Sequence, residues 1–171
     1  MHKLCDAPSK AEEDLKAELV ELVGDCKTYV LGMGNEDRGD DGAGIAVARK
    51  LKESFPRHSY SEHDGLEGIV LDISEKDEDA FVIFVDAADL REEPGTIRLV
   101  DAKEIRATEV TTHRVTVGLL MELLAKSGKR STVVCIQPGS VEFGSEMTAP
   151  VNGAVETLVC LLSDIVERTT S

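Results

Sequence analysis

The chain has 171 residues, 42% of them hydrophobic and 30% charged, with 19 basic against 33 acidic side chains and a formal net charge of -14. That length supports one domain with a full core, and the composition excludes wholesale disorder. A surface this acidic repels nucleic acid and anionic membranes; it favours a cation or a basic partner.

The N-terminal stretch MHKLCDAPSKAEEDLK lacks the apolar core of a signal peptide, and no run reaches the roughly 18 apolar residues of a membrane span. Cys5, Cys26, Cys135 and Cys160 show no metal-binding spacing and read as reduced thiols of a cytoplasmic protein, Cys135 and Cys160 being core residues. Ser9 with Glu12 makes a capping-box pattern ahead of AEEDLKAELVELVGD, where Leu15, Leu19 and Leu22 share a helical face.

TYVLGMG (28–34) reads as a buried strand, followed by a helix over 41–54. SYSEH (59–63) is a weak strand ending at the turn pair Asp64-Gly65, and LEGIVLDISEKD follows as a helix. AFVIFVDA (80–87) is the clearest strand, and TIRLVD is a shorter one after the turn Glu93-Pro94-Gly95. HRVTVGLLMELLAKSG (113–128) has helical periodicity, STVVCIQP (131–138) is a buried strand, and PVNGAVETLVCLLSDIVER closes the chain as a helix with Pro150 in its first turn. Buried strands alternating with helices predict an α/β fold with a mostly parallel sheet and helices on both faces.

Ligands of such a sheet gather beyond the carboxyl ends of its strands. Three groups are expected there: Asp41 where the first loop enters its helix, Asp86 at the end of FVIFVD, and His113 at the start of a helix. Each has an ordinary reading as well. Asp40 or Asp41 suits an N-cap, Asp86 a strand-end turn, and His113 a surface position. Together, two carboxylates and an imidazole form a mixed oxygen and nitrogen set suited to a divalent transition metal. The helix N-terminus also favours the neutral imidazole that ligates metals.

The glycines of LGMGNEDRGDDGAG (31–44) are out of register with a dinucleotide fingerprint, and four acids crowd them with Arg38 alone in opposition, so the loop is read as a cation site. Asp64 is either an acid/base group at the crevice rim or a turn former. His63, a candidate fourth ligand, would point away from Asp64 in an extended strand. Asn35 is expected to fix the first loop through side-chain hydrogen bonds.

At these residues, VLGMGNEDRGDDGAG, VDAADLREEPGTIRLVD, TTHRVTVGLLMELL and CIQPGSVEFGSEMTAPVNGAVETL resemble successive blocks of the nickel–iron hydrogenase maturation endopeptidases, in order over residues 28–167. The resemblance is nearest to the branch that processes membrane-bound or archaeal-type hydrogenases. It implies a three-layer α/β/α sandwich around a five-stranded sheet. The implied activity removes a short C-terminal peptide from the hydrogenase large-subunit precursor after nickel insertion. The family's metal positions fall on Asp41, Asp86 and His113, recognising nickel presented by the substrate rather than held permanently, and Asp64 matches an acidic position implicated in cleavage.

The sequence departs from that family at three points. Members begin near the position of Tyr29, where they often have a paired glycine this chain has Gly65-Leu66, and the first metal position, Glu in other branches, is Asp41. The chain is accordingly divided into an N-terminal helical extension, residues 1–27, and a single α/β domain, residues 28–171. The expected protein is a cytoplasmic monomer without nucleic-acid or membrane partners. Two rivals remain at this point: a hydrolase with a resident metal ion, and a nickel checkpoint that binds the precursor without cutting it.

Overall fold

A computed structural model of the chain describes residues 7–101, 103, 104 and 112–171, with the backbone alone described for 112–115. In chain order its elements are α1 (Lys10–Val23), β1 (Lys27–Gly32), α2 (Ala43–Ser54), β2 (Ser59–Ser61), α3 (Leu66–Lys76), β3 (Ala80–Ala87), β4 (Ile97–Val100), α4 (Thr112–Lys126), β5 (Arg130–Ile136) and α5 (Ala149–Thr170). The five strands form one sheet in the order β2-β1-β3-β5-β4. All pairings are parallel except β4 with β5. The antiparallel edge follows from the link: residues 88–96 are fewer than the dozen or so that a parallel crossover needs.

Strand alternation divides the core into two layers. On one face, Val30, Ile83, Val85 and Ile136 pack with α1, α2 and α5. On the other, Leu31, Val82, Phe84 and Val133 pack with α3 and α4. Both faces of the central strands are therefore covered, which is why these strands read as continuous apolar runs. The expected three-layer α/β sandwich is what the chain forms.

α1 begins with the expected capping box, Glu12 N donating to Ser9 Oγ at 3.3 Å and Ser9 N to Glu12 Oε2 at 2.9 Å. Its buried residues Leu15, Leu19 and Val23 join the same core as α2 and α5. Two expectations are corrected here. α5 is long and apolar enough by itself to cross a membrane, but Val151, Val155, Leu158, Leu162 and Ile165 place it against the sheet. Cys160 is half-buried and disulfide-bonded rather than a reduced core thiol. Cys26 and the buried Cys135 are thiols.

Candidate active site

β1, β3 and β5 run parallel, so the loops that leave them gather at one edge of the sheet. The first of these, residues 33–42, folds into 3₁₀ turns over Glu36–Gly42. Asn35 organises it as expected, its Oδ1 accepting Asp37 N at 2.9 Å. Helix α2 starts at Ala43 with Gly42 as its N-cap and no side-chain capping bond, so neither Asp40 nor Asp41 caps it. Close packing explains two glycines, one where α2 meets β3 and one where the loop folds on itself. A Cβ on Gly44 would lie 2.2 Å from the Val85 carbonyl oxygen, and one on Gly34 would lie 1.9 Å from that of Asp41.

Asp86 closes β3 nearly buried, with its Oδ1 accepting Ala87 N at 2.8 Å. By alternation it shares the face of Val82 and Phe84, the face covered by α3 and α4. Asp41, half-buried, lies three residues before Gly44, which packs on β3 next to Asp86. The loop bearing Asp41 and the end of β3 bearing Asp86 thus lie at the same edge of the sheet.

His113 lies in the first turn of α4. α4 packs against β5 and joins it through residues 127–129, so the two run in opposite directions and α4 begins at the carboxyl edge of the sheet. At about 1.5 Å per residue α4 spans roughly the length of β5, which puts its first turn level with the loops carrying Asp41 and Asp86. The side chain of His113 lies outside the described residues, and among the described ones no three His, Cys, Asp or Glu side chains form a metal-sized cluster.

Asp64 is one turn beyond β2, in the 3₁₀ segment Glu62–Asp64. Its Oδ2 accepts Ser61 N at 2.8 Å and its Oδ1 pairs with Lys52 Nζ at 2.6 Å. Burial pushes this carboxyl up, but Lys52 and the Ser61 amide outweigh it and hold the group below its ordinary value. His63 takes a different partner, Glu36 Oε2 at 2.9 Å; both residues sit in the 3₁₀ segment and not in the extended strand expected over 59–63, because β2 ends at Ser61. Arg49 adds a 2.7 Å ion pair to Glu36, and Glu62 accepts Gly34 N at 3.1 Å. The rim on the β2 side is therefore a set of exposed charge pairs.

Two residues that sequence reasoning missed build the opposite wall. Asp40 is fully buried, and its carboxylate accepts four hydrogen bonds from the loop after β5: Gly139 N at 2.7 Å, Ser140 N at 3.0 Å, Thr148 N at 2.6 Å and Thr148 Oγ1 at 2.8 Å. Burial pushes its carboxyl up, but the Ser140, Thr148 and Gly139 donors outweigh that and keep it below the ordinary value. Gln137, buried at the end of β5, accepts Leu90 N at 2.6 Å and so ties down the loop that follows Asp86. The available signal was a polar residue ending each apolar or glycine-rich run; their partners are 47 to 108 residues away and invisible to local pattern.

The chain is thus a three-layer α/β protein whose charged loops gather at the carboxyl edge of the sheet, where such folds bind their ligands. The family model described as HycI, hydrogenase maturation protease, matches residues 65–165. Hydrogenase 3 maturation protease of Escherichia coli (strain K12) is 34% identical over 133 residues, covering 75% of this chain and 84% of the relative. The solution structure of the endopeptidase HycI from Escherichia coli superposes with a TM-score of 0.67 at 31% identity, covering 81% of this chain and 90% of that one. The crystal structure of a NiFe-hydrogenase maturation protease HycI from Thermococcus kodakarensis KOD1 gives 0.69 at 27% identity, covering 88% and 99%. The chain belongs to the hydrogenase maturation protease family and is a peptidase.

Proposed function

We propose that this protein removes the C-terminal peptide of a nickel–iron hydrogenase large-subunit precursor after nickel insertion, with Asp41, Asp86 and His113 recognising the nickel that the substrate carries. The observation that carries the reading is Asp86. Strand β3 is otherwise wholly apolar, yet its carboxyl end carries a nearly buried carboxylate, next to Val85, whose carbonyl accepts Met33 N from the start of the loop bearing Asp41. Ligands of such a sheet gather beyond that end, and a carboxylate there offers oxygen to a cation.

In this reading the chain's own groups bind and orient. Asp41 and Asp86 offer oxygen ligands and His113 a nitrogen ligand, a set suited to a divalent transition metal. Engaging the substrate's nickel fixes the scissile bond at the carboxyl edge, and such positioning supplies much of the rate. Water adds to the peptide carbonyl, the C–N bond breaks, and the water's proton passes to the leaving amine. Asp64, kept ionised by Lys52 and Ser61, is the candidate carrier of that proton. The protein acts as a cytoplasmic monomer, for which its mass in solution and cell fractionation are the checks.

The test is intact mass spectrometry of a large-subunit precursor, nickel-loaded and nickel-free, incubated with this protein. Loss of a C-terminal peptide from the loaded form alone is expected, and His113→Ala is expected to abolish it. Processing of the nickel-free form at the same rate would remove nickel recognition from the reading. A stable complex with an uncut tail would replace the peptidase reading of this client by a checkpoint. Stoichiometric nickel in the protein purified without chelators would make the metal resident.

A further inference from the structure

The loop after β5 carries an aromatic side chain that the rest of the fold leaves in solvent. Phe143 is 81% exposed and Val141, two residues before it, is 38% exposed. Leaving a phenylalanine in water forgoes roughly 1.5–3 kcal/mol of burial. The chain has only four phenylalanines, and the core-facing Phe81 and Phe84 are buried.

The exposure is imposed by a pinned backbone. Arg38 Nε donates to Val141 O at 3.1 Å just before Phe143, and Gly144 N donates to Asp37 O at 2.7 Å just after it. Ser145 closes a turn onto Glu142 O through its amide at 3.1 Å and its hydroxyl at 2.7 Å. The Asp40 carboxylate anchors both ends of the loop, at Gly139 and Ser140 and again at Thr148. An aromatic group held ready on a fixed loop loses little entropy on burial, which is how residues that dominate protein interfaces are presented.

Its place selects the occupant. The loop leaves β5 at the same sheet edge as Asp86 and is bonded to the loop that carries Asp41. The flanking Glu142 and Glu146, with Asp37 on the adjoining loop, are exposed acids in a chain of net charge -14. Arg38, exposed and bonded to Val141 O, is the cation beside these three acids, so an apolar tip in a mainly acidic surround fits an apolar pocket rimmed mostly by Lys and Arg.

We infer that Phe143, with Val141, is the anchor by which this protein docks the folded body of its protein substrate, inserting into an apolar pocket rimmed by basic residues beside the tail to be cut. This deepens the function proposed above and rests on it. The tip holds the client; the carboxylate corner reads its metal.

The experiment compares wild type, Phe143→Ala, Phe143→Leu and Glu142→Lys on a purified nickel-loaded large-subunit precursor. Binding is measured by biolayer interferometry and processing by initial rates. Phe143→Ala is expected to raise Kd and KM about tenfold or more, as loss of a central anchor does, while kcat at saturation and the melting temperature stay within error of wild type. Phe143→Leu is expected to recover most of the binding, and Glu142→Lys to slow association at low salt. Wild-type cleavage with unchanged Kd and KM in Phe143→Ala would overturn the docking surface alone. Failure of wild type to bind or cut the precursor would overturn both this inference and the function beneath it. A wild-type dimer in sedimentation that Phe143→Ala converts to monomer would assign the tip to self-association instead.

Discussion

The crevice has two sides built by different physics. Toward β5, Asp40 is sealed from water and joined to backbone amides, so the wall is a cross-link between two loops. Toward β2, a strand of three residues, the rim is tied by Lys52–Asp64, Arg49–Glu36 and His63–Glu36 pairs on exposed or half-exposed side chains. Buried charge-assisted hydrogen bonds are strong and insensitive to salt, whereas exposed ion pairs contribute little and are screened. The difference assigns rigidity to the wall next to Asp41 and the docking tip, and adaptability to the rim that carries Asp64.

The comparison is most severely tested by Asp40→Asn. An amide nitrogen would face donors at Gly139, Ser140 and Thr148, leaving buried amides unpaired, and the expected loss is about 3 kcal/mol in urea unfolding, with processing lost as well. A cost below about 1 kcal/mol would mean that the wall is no firmer than the rim. Gly39→Ala probes the same wall more gently. Gly39 has φ of 54°, and a Cβ there would lie 2.4 Å from Ser145 Oγ. The strain is expected to cost about 1–3 kcal/mol and to disturb the loop bearing Phe143, as read by amide chemical shifts at residues 140–146.

Acid acts on both sides through carboxyls held below their ordinary values. His63 above all, then Arg49, holds the Glu36 carboxyl below its ordinary value of 4.5, against the opposing effect of burial. A carboxyl depressed in the folded state contributes stability that is present above its unfolded value and is lost as pH falls through its folded one. The His63 amide is therefore expected to titrate below the ordinary carboxylate value as Glu36 protonates, with a midpoint that moves with salt, whereas the Gly139 and Thr148 amides beside the buried Asp40 are expected to be insensitive to salt. Equal salt sensitivity of both sets would erase the distinction. The smallest effect is expected from Lys52→Met, about 0.5 kcal/mol for an exposed pair, and about 1 M salt should remove most of it.

Much of this was legible locally. Strand β3 announced itself through AFVIFVDA, and Asp86 stood out because a charge ends a run with no other polar residue. Periodicity located the helices, whereas the separation of His63 from Asp64, expected from an extended strand, comes from a 3₁₀ turn. The loops were less legible. The first strand stops at Gly32 and the next helix waits until Ala43, because the loop folds back on itself: a Cβ on Gly34 would lie 1.9 Å from the Asp41 carbonyl oxygen and one on Gly42 would lie 3.0 Å from Glu36 Cα. Within the pair Asp40-Asp41, nothing local says which acid turns inward.

The amino-acid sequence by itself determined the layers, the parallel sheet and the edge where chemistry gathers, because apolar spacing and chain polarity are properties of neighbouring residues. The tertiary structure alone decided that Asp40 is a buried clasp, that Gln137 holds the loop after Asp86, and that Phe143 is left outside. Those outcomes depend on which donors a carboxylate or amide meets across 47 to 108 residues of chain, and only the folded packing brings them together.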